Sequence, residues 1–241
     1  RAGLRLACRH RVKGPCRLRV EYVHPGPVEV LTAYQGRTEA PDTRKGVPWL
    51  MAIDLGTTTI AMNAVEAESL RRWRPGGPVN VLAQYCVQNP QRAWGSDVIT
   101  RMQAAQAGEA EALTRAVEEA LRTGIAGLKE QMEMPPGEIC LAGNTTMEHL
   151  LMGLNTETLG KYPFRPVTLK EQTWNGVRLL PGISAFVGAD ILAGLLACGF
   201  GEKRGGYRLF LDLGTNGEMA VGGGGRLVCT ATAAGPAFEG G

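Results

Sequence analysis

The sequence predicts an α/β fold built from two related halves. Two short segments carry the same Asp-Leu-Gly-Thr core, at Asp54–Thr57 and again 158 positions later at Asp212–Thr215. Each follows an apolar run typical of a buried β-strand, and each precedes a second strand-like run. A long segment with helical periodicity lies between the two copies. This order indicates an α/β domain followed by the start of its copy.

The composition is that of a globular protein. Of the 241 residues, 44% are hydrophobic and 20% charged, which suits one large domain or two smaller ones. No apolar run approaches the ~18–20 residues that a membrane span needs, so no membrane segment is expected. The cysteines are scattered and include no CxxC pair: Cys8, Cys16, Cys86, Cys140, Cys198 and Cys229. That pattern disfavours a self-contained zinc site and predicts a protein of the reducing cytoplasm.

Charge is unevenly distributed along the chain. Residues 1–49 hold ten Lys or Arg and four Asp or Glu, a net +6, and the remainder holds sixteen and nineteen, a net −3. The basic start is interpreted either as a solvated tail or as a docking surface for an acidic redox partner, since such fields steer association. Nucleic acid is not expected as a partner, because the bulk of the chain is acidic and carries no such binding motif.

The first 48 residues differ from the rest. Residues 1–22 alternate apolar and charged positions, which is typical of a short strand-rich end. Residues 23–48 are rich in proline and glycine and show no periodicity, so a linker is predicted there. A domain boundary is expected near residues 45–50.

Three strands and a long helical region are predicted next. The strands form an antiparallel meander with a turn at Arg71–Gly77. Ser96 is predicted as an N-cap, and Gly108 is expected to split the helical region that follows it. The predicted ranges are Trp49–Asp54, Thr57–Val65 and Val79–Val87 for the strands and Asp97–Met134 for the helical region.

Shorter elements complete the predicted order. A strand at Glu138–Ala142 leads through capping residues at Gly143–Thr146 into a helix. Residues 155–176 are expected to be a loop-rich insertion. The remaining predictions are a helix at Met147–Leu154, strands at Val177–Leu180 and Ile183–Val187, a helix from Gly188 to Cys198, and a last hairpin with its tip at Gly222–Gly225.

The two Asp-Leu-Gly-Thr turns have the chemistry of a phosphate site. Glycine lets the backbone approach a ligand closely, and N–H groups and Thr hydroxyls can point at phosphate oxygens. An Asp at such a turn can hold Mg²⁺, usually through water, or orient a nucleophile. One such turn is common in proteins. Two of them at a domain-length separation favour a clamp on a shared phosphate ligand.

Three other polar residues stay open to structural explanations. Asp190 is interpreted equally as a helix N-cap and as a third carboxylate near the metal. Asp97 is interpreted first as an acid favoured by the dipole of the first helical turn. His149 is predicted on a helix with Leu150 and Leu151 and is expected in the core or at an interface.

The chain resembles a known family in several blocks. The turns Asp54–Thr59 and Asp212–Glu218 resemble the phosphate-1 and phosphate-2 motifs of the acetate and sugar kinase/Hsp70/actin superfamily. Further segments look like the reductive activators of corrinoid proteins, which join a [2Fe-2S] ferredoxin domain to an ATPase of that superfamily. These segments are Asn89–Gln91, Gly95–Ile99, Leu141–Met147, Pro181–Asp190 and Ala233–Gly240.

The resemblance implies a fold and a division into domains. It implies a ribonuclease H-like/actin-like ATPase fold with mixed sheets and flanking helices. Residues 49–206 would form the first ATPase half, and 207–241 would begin a second half that is incomplete. Residues 1–22 would end a ferredoxin-like domain, with Cys8 as the fourth [2Fe-2S] ligand in the full-length protein. We therefore expect the chain to be a fragment cut at both ends.

The resemblance also implies a function. It implies ATP-dependent reduction of an inactive Co(II) corrinoid protein to Co(I), with an electron from the [2Fe-2S] domain, and it allows a homodimer. Asp212, Glu218 and Asp190 are assigned as catalytic acids, and Asp54 and Asp212 as Mg²⁺ ligands. The residues assigned to ATP phosphates are Gly56, Thr57, Thr58, Gly214, Thr215 and Asn216.

Two alternative functions remain open at this point. One is a small-molecule kinase of the same superfamily, which would need a dedicated substrate pocket. The other is a scaffold that docks a corrinoid protein without turning over nucleotide. Isothermal titration with ATP and with the corrinoid protein separates the scaffold from the activator.

Overall fold

A computed structural model of the chain describes residues 46–202 and 205–233. The predicted ferredoxin-like end at 1–22, almost all of the predicted linker at 23–48 and residues 234–241 lie outside the described residues. Cys8 and Cys16 are among those not described. The proposed domain boundaries therefore stay predictions.

Nine strands and five α-helices are present in the described part of the chain. The strands are β1 (Trp49–Leu55), β2 (Thr59–Glu66), β3 (Val81–Gln88), β4 (Ile139–Gly143), β5 (Gln172–Trp174), β6 (Val177–Leu179), β7 (Arg208–Leu213), β8 (Asn216–Gly223) and β9 (Arg226–Ala233). The helices are α1 (Ala67–Arg72), α2 (Val98–Ala104), α3 (Ala110–Met132), α4 (Thr145–Leu151) and α5 (Ala189–Ala197).

The larger sheet has six strands in the order β3-β2-β1-β4-β6-β5. β1, β2 and β3 form the predicted antiparallel meander, whereas β4 runs parallel to β1 and β6 runs parallel to β4. Leu55, at the end of β1, pairs with Gly143 at the end of β4. Because parallel strands end at the same edge of a sheet, the turns after β1 and β4 lie side by side.

Helix α3 supplies much of the core beneath this sheet. Its buried side chains recur every three or four residues, as a helix with one apolar face requires. They are Leu113, Val117, Leu121, Leu128 and Met132. Gly108 has a φ of 107° and ends the preceding helical segment as predicted, because a left-handed backbone at this point favours glycine.

The smaller sheet has three antiparallel strands in the order β7-β8-β9. One face packs on α5, through contacts of Phe210 and Ala220 with Ile191 and Leu195. The opposite face of β7 is exposed, since Leu209, Leu211 and Leu213 are each at least half accessible.

Some predicted elements differ from the structure for local reasons. Residues 67–72 form helix α1, where Glu68 pairs with Arg71 and Arg72 one turn on, so the predicted turn at Arg71–Gly77 begins too early. Ile183–Val187 is not a strand, since it forms only one bridge, between Ser184 and Val187.

Helix ends also move by a few residues. The N-cap of α2 is Asp97 rather than Ser96, and the Asp97 side chain accepts from the Thr100 N–H at 2.9 Å. Helix α4 begins at Thr145 and ends at Leu151, earlier than predicted at both ends. None of the helices in the described residues combines the length and apolar character needed to cross a membrane.

Candidate functional site

The first turn, Gly56–Thr58, connects β1 to β2 and is held by its own backbone. The Gly56 N–H donates to the Thr59 carbonyl at 3.0 Å. A Cβ atom at Gly56 would lie 2.7 Å from that carbonyl oxygen, so a side chain does not fit without a backbone shift. Asn89 donates its backbone N–H to the Thr58 carbonyl at 2.8 Å and its Nδ2 to the Gly56 carbonyl at 2.9 Å. The protein itself therefore fixes the shape of this turn.

Arg101 supports the same turn from beneath. Its side chain is fully buried. One guanidinium nitrogen donates to the Thr57 carbonyl at 2.6 Å, and Nε donates to the Gly95 carbonyl at 2.9 Å. Burial lowers the pKa of Arg101 to about 10, partly opposed by Asp97, so the group stays charged at neutral pH. Sequence analysis missed it, although Arg101 falls on the apolar face that Val98 and Met102 define.

Asn144 attaches helix α4 to the first turn. Its side-chain oxygen accepts from the Met147 N–H at 3.0 Å, which makes Asn144 the N-cap of α4. Its Nδ2 donates to Thr57 Oγ1 at 2.9 Å. One amide therefore orients a hydroxyl that the sequence assigns to phosphate, and that contact was not predicted.

Helix α5 approaches this turn through a glycine. A Cβ atom at Gly188 would lie 2.5 Å from the Gly143 carbonyl oxygen and 2.7 Å from the Thr145 nitrogen. Backbone atoms cannot move away as a flexible side chain can. Gly188 therefore allows α5 to start against the end of β4, and that places Asp190 on the side of the first turn.

The second turn lies opposite the first. Thr215 Oγ1 is 3.3 Å from Thr58 Oγ1, so the two turns touch through their hydroxyls. The Gly214 N–H donates to the Asn216 carbonyl at 2.9 Å. Asp212 pairs in register with Glu218 across β7 and β8. The structure thus brings together the two segments that the sequence predicts to face each other.

Burial and neighbouring acidic residues raise the pKa of several carboxyl groups at this site. Crowding by protein atoms and the charges of Asp190 and Asp212 raise the pKa of Asp54 to about 6. Asp54 is nevertheless exposed, which is consistent with a deep position in a cleft that stays open to water. Burial raises the pKa of Glu218 to about 7, with further contributions from Asp190 and Asp212.

Asp190 belongs to the same acidic group. Burial raises its pKa to about 6, its hydrogen bond with Ile191 opposes this, and the charge of Asp212 adds to it. The N-cap of α5 is Gly188, so the N-cap interpretation of Asp190 is wrong. The position favours the alternative of a third carboxylate, whose role at a metal stays a prediction.

Glu148 is a further acid that sequence analysis missed. It lies in the first turn of α4, four residues after the N-cap Asn144. Its Oε1 accepts from the Gly143 N–H at 3.1 Å. Burial raises its pKa to about 8, the bond from Gly143 opposes this, and Asp190 adds to the rise. An acid in the first turn of a helix is ordinarily explained by the helix dipole, so its position does not mark Glu148 as a site residue.

The acidic group fits Mg²⁺ held together with a phosphate ligand. Among the described residues, no three His, Cys, Asp or Glu side chains are placed to hold a metal ion by themselves. Mg²⁺ does not require such a set, because it keeps several waters and binds one or two carboxylates plus substrate phosphates. Carboxylates that raise one another's pKa would be stabilised in ionised form by a divalent cation.

The described cysteines do not fit an iron–sulfur cluster. Cys86, Cys140, Cys198 and Cys229 are unpaired thiols on separate elements, and a [2Fe-2S] centre needs four converging ligands. Cys8, the predicted ligand, lies outside the described residues. The iron–sulfur assignment therefore remains a prediction for the full-length protein.

A cavity of about 230 Å³ adjoins the two turns. Its wall is mainly apolar and includes Ile99 and Phe186. Asn144, Asn216 and Glu218, which belong to or adjoin the site, also line it. A partly apolar group could therefore bind next to the predicted phosphate site.

His149 has a structural role, as expected. Its Nδ1 lies 2.7 Å from the Thr145 carbonyl and its Nε2 accepts from the Val167 N–H at 3.0 Å. Together these partners fix a neutral imidazole with the proton on Nδ1. Burial lowers its pKa, partly opposed by Thr145.

Comparison with known proteins gives consistent matches. The model described as the RACo middle region matches residues 50–203, and the one described as the C-terminal domain of RACo, the ASKHA domain, matches 206–241. "Corrinoid activation enzyme RamQ" of Eubacterium limosum is 32% identical over 220 residues, covering 83% of this chain and 35% of that protein.

A solved structure gives the same result. The protein named "Reductive activator for corrinoid, iron-sulfur protein" matches with a TM-score of 0.69 and 32% identity, covering 80% of this chain and 32% of that chain. The present chain thus spans about a third of the length of these relatives. The match confirms the predicted actin-like ATPase fold with a mixed sheet and flanking helices.

Proposed function

We propose, since this chain belongs to the RACo family of reductive activators of corrinoid proteins, that its two facing turns bind the phosphates of Mg²⁺-ATP. In the full-length protein, ATP would drive the reduction of a Co(II) corrinoid protein to Co(I). The observation that carries this proposal is the 3.3 Å contact between the hydroxyls of Thr58 and Thr215. A single ligand bound beside this contact would reach both turns.

The residues have distinct roles in phosphate binding. Thr58 and Thr215 offer hydroxyls to phosphate oxygens, as turns of this kind do at anion sites. Gly56, whose N–H is bonded to the Thr59 carbonyl, lets the backbone come close to the phosphate. Thr57 is oriented by the amide of Asn144. Gly214 and Asn216 shape the second turn through the hydrogen bond between them.

Asp54 and Asp212 would hold Mg²⁺, and bound Mg²⁺ neutralises the charge that develops on the phosphates. Each Asp is the second-last residue of its strand, β1 or β7, so both carboxylates are fixed at strand ends. They come from different sheets. Binding the ion with ATP would therefore draw the two sheets together, and loss of the γ-phosphate would release them.

Glu218 and Asp190 are proposed to orient and deprotonate the attacking water. The pKa of Glu218, raised by burial to about 7, is near the operating pH, where a carboxylate best combines ionisation with basicity. Asp190, in the first turn of α5, is near enough for its charge to raise the pKa of Glu218 and would orient the same water. The water oxygen would bond to the γ-phosphorus as the bond from that phosphorus to the bridging oxygen breaks. ADP would leave with the bonding electron pair, and the water proton would pass to the carboxylate.

The electron would come from the predicted [2Fe-2S] domain, with Cys8 as one ligand, in the full-length cytoplasmic protein. The corrinoid protein is the proposed partner. Because the chain covers about a third of its relatives, these parts of the proposal concern the whole protein.

The test is Asp212→Asn in the full-length protein. We expect Mg²⁺-ATP-driven conversion of Co(II) to Co(I) to fall at least tenfold, while iron–sulfur absorbance stays unchanged, because the carboxylate is lost and the side-chain shape is kept. Glu119→Gln, an exposed acid on α3, is the control for the loss of one charge. Conversion is measured from the corrinoid spectrum.

Unchanged conversion in Asp212→Asn would rule out its proposed role. Calorimetry distinguishes the scaffold alternative from the proposed activator. Binding of the corrinoid protein by the wild type, with no ATP binding under any Mg²⁺ concentration, would favour a scaffold over an activator.

A further inference from the structure

A surface loop between α4 and β5 exposes several aromatic and apolar side chains. We call residues 158–170 the aromatic loop. The accessible fractions are 86% for Tyr162, 41% for Phe164 and 55% for Val167. Large aromatic groups are costly to leave in water and are enriched at the centres of protein interfaces.

The aromatic loop is rigidly attached despite this exposure. Thr158 bonds twice to Arg165: its carbonyl accepts from the Arg165 N–H at 2.9 Å, and its hydroxyl donates to the Arg165 carbonyl at 2.6 Å. Leu159 is fully buried against Met102. At the far end, Val167 donates to His149. A loop held at three places loses little conformational entropy when a partner binds.

The charge of the loop favours an acidic partner. Residues 158–170 contain Lys161, Arg165 and Lys170 and no acid. Lys161 pairs with Glu157 just outside the loop. Arg165 is exposed, and no carboxylate among the described residues forms an ion pair with it. An aromatic tip beside an unpaired Arg fits the composition of interface hot spots.

The loop also reaches toward the predicted nucleotide cleft. Tyr162 stacks edge-on against Phe164, with ring centres 6.0 Å apart, and Phe164 stacks against Phe186 at 5.2 Å. Phe186 lines the 230 Å³ cavity, which Asn144 and Glu218 also line. The exposed aromatic surface is therefore continuous with a cavity beside the two turns.

We propose that the aromatic loop is the docking surface for an acidic face of a protein partner, which places an apolar side chain in the adjoining cavity. The identity of the partner as the corrinoid protein rests on the proposed function. Tyr162 and Phe164 supply the apolar contact, and Arg165 supplies the charge that attracts the partner.

The experiment uses the full-length protein and, as probe, the corrinoid protein in its Co(II) form. Tyr162→Ala removes the most exposed ring, and Phe164→Asn removes the second with a residue that tolerates the φ of 55° at this position. Each should weaken the Kd for the corrinoid protein at least tenfold. Leu70→Ala, an exposed apolar residue on α1, is the matched control and should leave the Kd unchanged.

Charge and cavity are tested separately. Arg165→Glu should slow association several-fold at low salt, and the difference should disappear at high salt, because screening removes electrostatic steering. Lys129→Glu, an exposed charge on α3, should not slow association. Ile99→Lys, which places a charge at the partly exposed mouth of the cavity, should weaken the Kd. ATP affinity, measured by calorimetry, should stay unchanged in all loop variants.

The outcomes distinguish this inference from the proposed function. Wild-type reduction of the corrinoid protein together with unchanged Kd values in Tyr162→Ala and Phe164→Asn would overturn the docking surface alone. Failure of the wild type to bind the corrinoid protein would overturn both. Loop-dependent binding to anionic vesicles, with an unchanged Kd for the corrinoid protein, would also overturn the inference, since a membrane would then be the partner.

Discussion

Arg101 is a fully buried cation whose hydrogen bonds go to backbone carbonyls and to the sulfur of Met147, not to a carboxylate. Its strongest contact fixes the Thr57 carbonyl and so the shape of the first turn. The buried charge itself is unfavourable. What Arg101 supplies is a fork of donors that reaches two segments at once, a geometry that an ammonium group cannot reproduce.

Replacing Arg101 by Met should therefore loosen the turn. The side-chain volume is largely kept, but the carbonyls of Thr57 and Gly95 lose their donor, and each buried unpaired acceptor costs about 1–3 kcal/mol. We expect a lower unfolding temperature without nucleotide and weaker Mg²⁺-ATP binding, measured by differential scanning fluorimetry and calorimetry. Arg115→Met, on the exposed face of α3, is the control. Equal behaviour of both variants would contradict the proposed support.

The raised pKa of Glu148 predicts that the stability of the protein depends on pH. Its folded pKa of about 8 lies above the ordinary value of 4.5, so the folded state holds the proton more tightly than the unfolded chain. The stability that Glu148 contributes is then complete below pH 4.5 and is lost as the pH rises to about 8. Glu148→Gln keeps an acceptor for Gly143 and cannot ionise.

The unfolding temperature of Glu148→Gln, relative to wild type, should therefore rise between pH 4.5 and 8 when nucleotide and Mg²⁺ are absent. Glu119→Gln is measured in parallel at each pH to correct for the loss of one acid on the surface. A difference between Glu148→Gln and wild type that stays constant across this window would show that Glu148 is not held protonated by the fold.

Individual side chains differ in how far sequence could predict them. The paired turns were predictable, because Asp, Gly and Thr recur in the same order after a strand. Asn144 was recognised as a capping residue, but its second bond to Thr57 depends on the parallel pairing of β1 with β4. Arg101 and Glu148 act from buried positions. In a single sequence, burial of such a residue can be inferred only from the face of the helix on which it falls.

At the scale of elements, the parallel pair β1 and β4 organises the candidate site. Their ends place the turn after β1 beside the start of α4, and Gly188 lets α5 join them. The meander and α3 were predictable because their apolar periodicity extends over many residues. The strand predicted at Ile183–Val187 is absent. A short apolar run gives no information on whether a neighbouring strand is there to pair with it.

Short elements lack the extended apolar periodicity by which longer ones are recognised. Helix α1 has six residues and no buried side chain, so it is favoured by local Glu–Arg pairs rather than by an apolar face. The aromatic loop was predicted only as loop-rich. Its rigidity comes from Leu159 and His149, which bind it to distant parts of the core.

At the scale of the whole molecule, the two sheets meet at the turns that the sequence repeats. Asp54 and Thr58 belong to the larger sheet, and Asp212 and Thr215 to the smaller one. The like charges of Asp54 and Asp212 disfavour closure when no cation is present. After burial, the charges of Asp190 and Asp212 contribute to the raised pKa of Asp54. A ligand that supplies Mg²⁺ and phosphate would reverse this balance and link closure to nucleotide binding.

This arrangement predicts that Thr58 and Thr215 function as a unit. Thr58→Ala and Thr215→Ala, made singly in the full-length protein, should each weaken Mg²⁺-ATP binding by about 0.5–1.5 kcal/mol, as the loss of a hydrogen bond does. The double variant should lose less binding free energy than the sum of the two single losses. Either substitution alone already removes the contact between the hydroxyls that lie 3.3 Å apart. Thr58→Ala with Thr230→Ala, an exposed residue of β9, should be additive. Calorimetry gives each value, and additivity in the Thr58–Thr215 pair would mean that the two sheets bind the nucleotide independently.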